Sequence, residues 1–158
     1  MSGFKKVVFV CTDNTCLSNI AAAVFGNILG DRDIAVASRG LEVLFPEPIN
    51  QKAVAILKSH GVSLLDNEAK PLESTDLGDD TLVLTMSTMN KIAVLDGYPD
   101  ARNVYTLAEF VGEPGEVSLP FGGTLADYGR CYEHIDMLTK LAAEQIFKEG
   151  KQDDSTWM

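Results

Sequence analysis

VVFVCTDNTCLSNIAAAVFGNILG, residues Val7 to Gly30, decides the fold of this chain. Its opening run, VVFVC, is β-branched and aromatic, too short for a helix, and gives way to the polar stretch TDNT. That pattern predicts a buried parallel strand from Val7 to Cys11. The apolar run IAAAVFGNIL then reads as a helix, with Ser18 or Asn19 able to cap it and Gly30 to stop it. A cysteine at the end of a strand, a short polar loop and a helix N-terminus form a geometry that can hold an anion, because loop amides and helix dipole aim positive charge at one spot. The same field is expected to lower the thiol pKa of Cys11 and make it a candidate nucleophile. A lone cysteine at a strand end is more often an inert core residue, so the neighbours must decide.

Outward from that stretch, strands and helices keep alternating. Asp33 to Ser38 reads as a second strand, followed by a loop with Pro46 and Pro48. Asn50 is placed to cap a helix, QKAVAILKSH, that turns Val54, Ile56 and Leu57 inward and ends at Gly61. Thr81 to Met86 is the third strand, with Ser87 capping a short helix through Leu95, and Asn103 to Leu107 is the fourth. From Ala126 to Lys148 apolar residues recur at three and four, the mark of a long amphipathic helix. The expectation is an α/β fold: a doubly wound, four-stranded parallel sheet with helices on both faces and ligands at the carboxyl ends of the strands. Residues 1–150 are read as one domain and 151–158 as a polar C-terminal tail.

Composition narrows the function. The 158 residues are 46% apolar and 23% charged, as in globular proteins, and the net charge of −10 opposes any role in neutralising nucleic-acid phosphates. No apolar run approaches a membrane span and no secretory h-region opens the chain. A cytoplasmic protein with no nucleic-acid or membrane partner is expected. Cys11, Cys16 and Cys131 are an odd count and are expected as reduced thiols. His60 and His134 lie too far apart in sequence to read as a metal pair, so no metal and no cofactor is expected.

CTDNTCLS, residues Cys11 to Ser18, resembles the phosphate loop of the low-molecular-weight protein tyrosine phosphatases, which reads C-x-G-N-x-C-R-S. Cys11 matches the nucleophile, Asn14 the loop-shaping amide, Cys16 the neighbouring thiol and Ser18 the hydroxyl supporting the thiolate, with Thr12, Asp13 and Thr15 completing the loop. The resemblance extends along most of the chain: Ser38 and Gly40 match an S-x-G turn, and TLVLTM, VYTLAEFV, PFGG and Tyr128 have counterparts. It implies the phosphotyrosine-phosphatase I-like fold. Thr15 looks more like the bacterial branch acting on phosphoarginine than the branch acting on phosphotyrosine.

Four departures from the family pattern weigh against activity. Leu17 stands at the position of the arginine that grips two phosphoryl oxygens, a task leucine lacks the donors for. Leu119, before Pro120, stands at the position of the aspartate that protonates the leaving group. Asp13 replaces a loop glycine and puts a carboxylate where a phosphate dianion would lie, although aspartate tolerates a left-handed backbone. Asn67 stands where the family often has a supporting histidine. The resemblance therefore implies a catalytically impaired pseudophosphatase, monomeric or weakly dimeric, whose partner is a phosphorylated protein or small anion if it has one. Two alternatives stay open. In one the chain is an active phosphotyrosine or phosphoarginine phosphatase using Cys11 with displaced helpers, Arg39 as the cation and Asp127 or Glu116 as the acid. In the other it is a thiol redox or binding module in which Cys11 and Cys16 close a disulfide.

Overall fold

The computed structural model describes residues 3–118 and 123–155. Strand β1 (Lys6–Cys11) has no exposed surface from Val7 to Val10, which fits its unbroken apolar run. Among the described residues it lies inside a four-stranded parallel sheet of order β2-β1-β3-β4. Strands β2 (Ala35–Gly40), β3 (Thr81–Thr85) and β4 (Asn103–Thr106) complete it. The register sets Val8 between Ala37 on β2 and Val83 on β3. Alternate residues face opposite layers. Val7, Phe9, Leu82 and Leu84 pack with α1 (Leu17–Leu29), α2 (Gln51–Ser59) and α5 (Leu125–Ser155), whereas Val8, Val10, Val83 and Val104 pack with Val94 of α3 (Thr88–Gly97). Helices on both faces follow, as the alternating pattern implies.

Local chemistry explains most boundaries. Asn50 caps α2 by accepting from the amides of Lys52 at 2.9 Å and Ala53 at 3.2 Å, and Ser87 caps α3 by accepting from Asn90 at 3.1 Å. Gly30 and Gly61 end α1 and α2 at positive φ, 57° and 70°. Val54 is only half-buried, and Ala53 takes the inward position beside Ile56 and Leu57.

Several boundaries differ from the sequence reading: β3 stops at Thr85 and α3 runs on to Gly97, shifts of a residue or two, and four others are instructive. Strand β2 is shifted to Ala35–Gly40, because its last residues pair with β1 as far as Cys11. Cys16, not Ser18 or Asn19, occupies the N-cap of α1 and makes no side-chain cap; the two polar side chains point into the preceding loop instead. The fourth strand stops at Thr106, where a capping box opens a one-turn helix, α4 (Leu107–Phe110). Thr106 Oγ1 accepts from the Glu109 amide and Glu109 accepts from the Thr106 amide, the T-x-x-E pattern visible in TLAE. Helix α5 continues to Ser155, past Lys148, although no apolar period extends it. Once a helix is nucleated each further residue adds a hydrogen bond at little cost, so a polar end can remain helical.

Candidate active site

Cys11 ends β1 at the carboxyl edge of the sheet, and residues 12–16 turn directly into α1. The turn needs one left-handed residue, and this is Asn14 at φ 58°; Asp13, in the position of a family glycine, does not occupy that conformation. Asn14 is 1% exposed and ties the loop to three places. Its Nδ2 donates to Ser18 Oγ at 2.8 Å, its Oδ1 accepts from the Lys70 amide at 2.8 Å, and its carbonyl accepts from Asn19 Nδ2 at 2.6 Å. Asn19 Oδ1 in turn accepts from Ser38 Oγ at 3.0 Å. Because Ser18 Oγ already accepts from Asn14, its hydrogen is free to donate to Cys11 Sγ, 2.9 Å away. The Asn14 amide also donates to that sulfur, at 3.3 Å.

Gly40 is fixed by the same network. A Cβ there would lie 2.9 Å from the Asn14 Cβ, 3.0 Å from its nitrogen and 2.6 Å from Val43 Cγ2. Two of these are backbone or rigid atoms, so the S-x-G turn is a requirement of close approach. Asn19 and the Lys70 amide are the parts of this frame that the sequence reading did not name.

A cavity of about 190 Å³ opens above Cys11. The loop contributes Thr12, Asp13, Cys16 and Leu17, and the opposite side is Met86, Ser87, Asn90 and residues 116–118. The latter segment is held along the end of β3 by the Val117 amide, which donates to the Met86 carbonyl at 3.0 Å. Among the described residues no lysine or arginine lines the cavity, whereas the carboxylates of Asp13 and Glu116 do. Asp13 Oδ1 accepts from the Thr15 amide at 3.2 Å, so a carboxylate of the chain itself engages one of the loop's anion-binding donors. Leu17, 7% exposed, presents hydrocarbon to the same space. Leu119, expected from the sequence at the general-acid position, and Pro120 lie outside the described residues.

The displaced helpers divide. Arg39 is engaged elsewhere: its Nε meets Asp76 Oδ2 at 3.1 Å, its Nη1 donates to the Ser38 carbonyl, and it does not line the cavity. Asp127 sits in the first turn of α5, where hydrogen bonds from Thr124 and the Arg130 partner hold its carboxyl below the usual range. A group so held is deprotonated at neutral pH and donates no proton. Glu116 is in the cavity, its Oε2 accepting from the Thr88 amide at the start of α3, 2.9 Å away. Asn67 is exposed, with its carbonyl bonded to the Ile49 amide, and takes no part in the loop network.

The expected low thiol pKa of Cys11 does not hold in this structure. Burial pushes the thiol above its ordinary value and the Asp13 charge adds to this, while the bonds from Ser18 and Asn14 favour the thiolate without prevailing. The physical reason is the missing cation: with no guanidinium beside the sulfur, desolvation of the anion is the largest effect. Burial likewise pushes Cys16 up to about 12 and Cys131 up to about 11. Alkylation by iodoacetamide and oxidation by peroxide are therefore expected to be slow for all three free thiols at neutral pH and to accelerate only under alkaline conditions. Fast loss of two thiols at neutral pH would contradict this. The fold favours protonated Cys16, so its contribution to stability is complete below pH 9.0, the ordinary value, and is lost as pH rises towards about 12. Urea midpoints measured across that window should fall less in Cys16→Ala than in the unaltered chain.

A parallel sheet of order β2-β1-β3-β4 with a thiol loop between β1 and α1 is a doubly wound α/β fold that places a cysteine at the carboxyl edge of its sheet. The model of the low molecular weight phosphotyrosine protein phosphatase family matches residues 6–152. The chain belongs to that family. It is 34% identical over 82% of its length to the low molecular weight protein-tyrosine-phosphatase PtpB of Staphylococcus haemolyticus, 91% of which is covered. It is 32% identical over 92% of its length to the protein-arginine-phosphatase of Bacillus subtilis, 99% of which is covered. Among solved structures, the low molecular weight protein tyrosine phosphatase of T. tengcongensis superposes with a TM-score of 0.80 at 34% identity, covering 89% of this chain and 98% of that one. The YwlE arginine phosphatase of Geobacillus stearothermophilus gives 0.83 at 28% identity, covering 95% and 96%.

Proposed function

We propose that this chain is a catalytically impaired member of the family, a pseudophosphatase that keeps the phosphate-loop frame and the Cys11 thiol but not the charges that make the loop an enzyme. The observation carrying this reading is the lining of the cavity: among the described residues it contains two carboxylates and no cation. Residues 119–122, LPFG, carry no charge to supplement it. Phosphoryl transfer spreads negative charge over the transferring group, so its catalysis rests on preorganised positive groups. Losing one such group costs about 10²–10³ in kcat, and losing the general acid about 10²–10⁴. A thiol kept protonated by burial removes a further share of the nucleophile.

Two assignments in this reading are structural. Ser18 and Asn14 shape the loop around Cys11, and Ser38 holds Asn19 in place; neither task depends on turnover. Arg39 supports the region through Asp76, which also accepts from Lys6 at 3.4 Å, and not through the phosphate position. Among the described residues no helix is long and apolar enough to cross a membrane.

The opposing reading, an active phosphatase, has one specific support: Glu116 stands in the cavity, where a proton donor would be needed. Hydrolysis of p-nitrophenyl phosphate and phosphoarginine by the purified chain beside Cys11→Ser separates the two. Equal, near-background rates are expected. Turnover that disappears with Cys11→Ser would establish the active enzyme.

A further inference from the structure

Helix α3 departs from the pattern that α2 follows. A surface helix presents polar residues to solvent, and α2 exposes Gln51, Lys52 and Lys58 while burying Ala53, Ile56 and Leu57. In α3 the inward residues are Asn90 and Val94, and the exposed ones include Met89, Ile92, Ala93 and Leu95. Met89, Ile92 and Leu95 are 75%, 49% and 53% exposed, and none of them belongs to either apolar core. Single exposed apolar side chains are ordinary; three large ones on one ten-residue helix mark a surface that another surface covers.

Their spacing says what covers them. Residues three apart are neighbours on a helix, so the three side chains form one stripe about 9 Å long with Ile92 at its centre. A two-fold axis through Ile92, perpendicular to the helix, lays a second α3 antiparallel on the first. Ile92 then meets its own counterpart, and Met89 meets the partner's Leu95, a side chain of nearly equal volume. The stripe is symmetric about its middle, so a copy of it is already a complementary surface.

Charge agrees at the ends of the stripe. Asp96 is exposed in the last turn of α3, the unfavourable end of its own helix dipole. Antiparallel pairing moves it to the N-terminus of the partner helix, which carries about half a positive charge. Glu116, bonded to the Thr88 amide, offsets part of this attraction, and Lys91 is already held by Glu109. Size sets the strength. A stable complex buries about 800 Å² on each partner, and three side chains fall well short of that. The arrangement fits a reversible dimer, not a permanent one.

We propose that the exposed face of α3 is a docking surface for a second copy of this chain, forming a weak two-fold dimer with Ile92 on its axis. A hollow of about 420 Å³, walled by Leu41, Met89, Ala93 and Tyr98, lies beside the stripe and shares Thr12 and Asn90 with the cavity above Cys11. The dimer therefore sets its interface next to each Cys11 cavity. It requires neither turnover nor phosphate binding at Cys11, and stands or falls apart from the reading of that site.

Sedimentation of the full chain between about 10 µM and about 1 mM is expected to show a monomer to dimer equilibrium with a dissociation constant on the order of 0.1 mM. Each copy carries a net charge of −10, so salt that screens their repulsion should tighten the dimer. Backbone amide shifts over the same concentrations should concentrate on residues 88–96. Ile92→Glu sets two like charges on the axis and should weaken the dimer at least about tenfold, as should Ile92→Lys. Mixing the two variants should restore association, because only an on-axis position faces its own counterpart. Ile92 lies outside both cores, so unchanged urea midpoints are expected for both variants. If a variant does not fold, the shifts of the unaltered chain decide alone. A chain that stays monomeric to about 1 mM overturns the proposal. So do shifts that fall elsewhere, Ile92→Glu associating as tightly as the unaltered chain, or a mixture of the folded charge variants that stays monomeric.

Discussion

Leu17→Arg combined with Leu119→Asp is expected to raise kcat/KM for p-nitrophenyl phosphate by at least about 10⁴ over the unaltered chain, with each single change giving a small fraction of that. Leu17 is the first residue of α1 and lines the cavity, so an arginine there has its stem where the leucine is packed and its guanidinium in the phosphate position. The added charge acts twice. It binds the transferring phosphoryl group in bidentate fashion, and it lowers the cost of the Cys11 thiolate that burial now disfavours. Leu119→Asp is expected to supply the proton for the leaving oxygen. The groups act as a unit, so the double change should exceed the product of the two single effects. Asp13→Gly should improve the double variant further, because it removes a like charge and frees the Thr15 amide, and because Asp13 is not the left-handed residue its backbone does not depend on the change. Thr15 makes phosphoarginine the second substrate to assay. A triple variant that folds, reacts at Cys11 and hydrolyses neither compound would show that the loop geometry, and not its charge, is what diverged.

Asn14→Ala is expected to destabilise the fold by about 3 kcal/mol. The alanine would leave the Lys70 amide without its acceptor and Ser18 Oγ without its donor, each a buried loss of about 1–3 kcal/mol. It would also hold an alanine at φ 58°, which costs about 1 kcal/mol more than asparagine or glycine there. Asn14→Gly removes the backbone penalty but not the lost bonds, so it should fall between the two. Urea unfolding of the three proteins measures this, and a change below about 1 kcal/mol in Asn14→Ala would mean that the network is not what holds the loop. Such a result would also weaken the part of Gly40's close-approach role that depends on Asn14 staying where it is, leaving the contact with Val43 Cγ2.

The strand-loop-helix frame was legible because it is written in local pattern: VVFVC has no other good use than a buried strand, and Asn50, Ser87 and Gly61 mark helix ends by chemistry that acts within a few residues. The loop network was half legible. Asn14 and Ser18 follow from the motif, but the Lys70 amide and Asn19 become partners only when β2, the 70s segment and α1 meet, which no spacing in the sequence encodes. The one-turn helix α4 carried a readable signal, the capping box in TLAE, hidden by the β-rich NVYT before it. The thiol pKa was misread for an instructive reason. Sequence shows that amides and a helix dipole face Cys11, but desolvation depends on how completely the site is closed, and Cys11 is 5% exposed. Arg39 and Asp127 illustrate the same limit: both have the right charge, and both are already paired away from the cavity.

The central claim is that an intact phosphate-loop frame has lost its affinity for phosphate through its charges alone. Titrating inorganic phosphate into the unaltered chain and into Leu17→Arg, with the amides of residues 12–18 as reporters, tests it most directly. The account predicts no saturable shift in the unaltered chain below millimolar phosphate and clear saturation on those same amides in the variant, with affinity at least about tenfold higher. Sub-millimolar binding by the unaltered chain, on those amides and lost on raising salt, would contradict it.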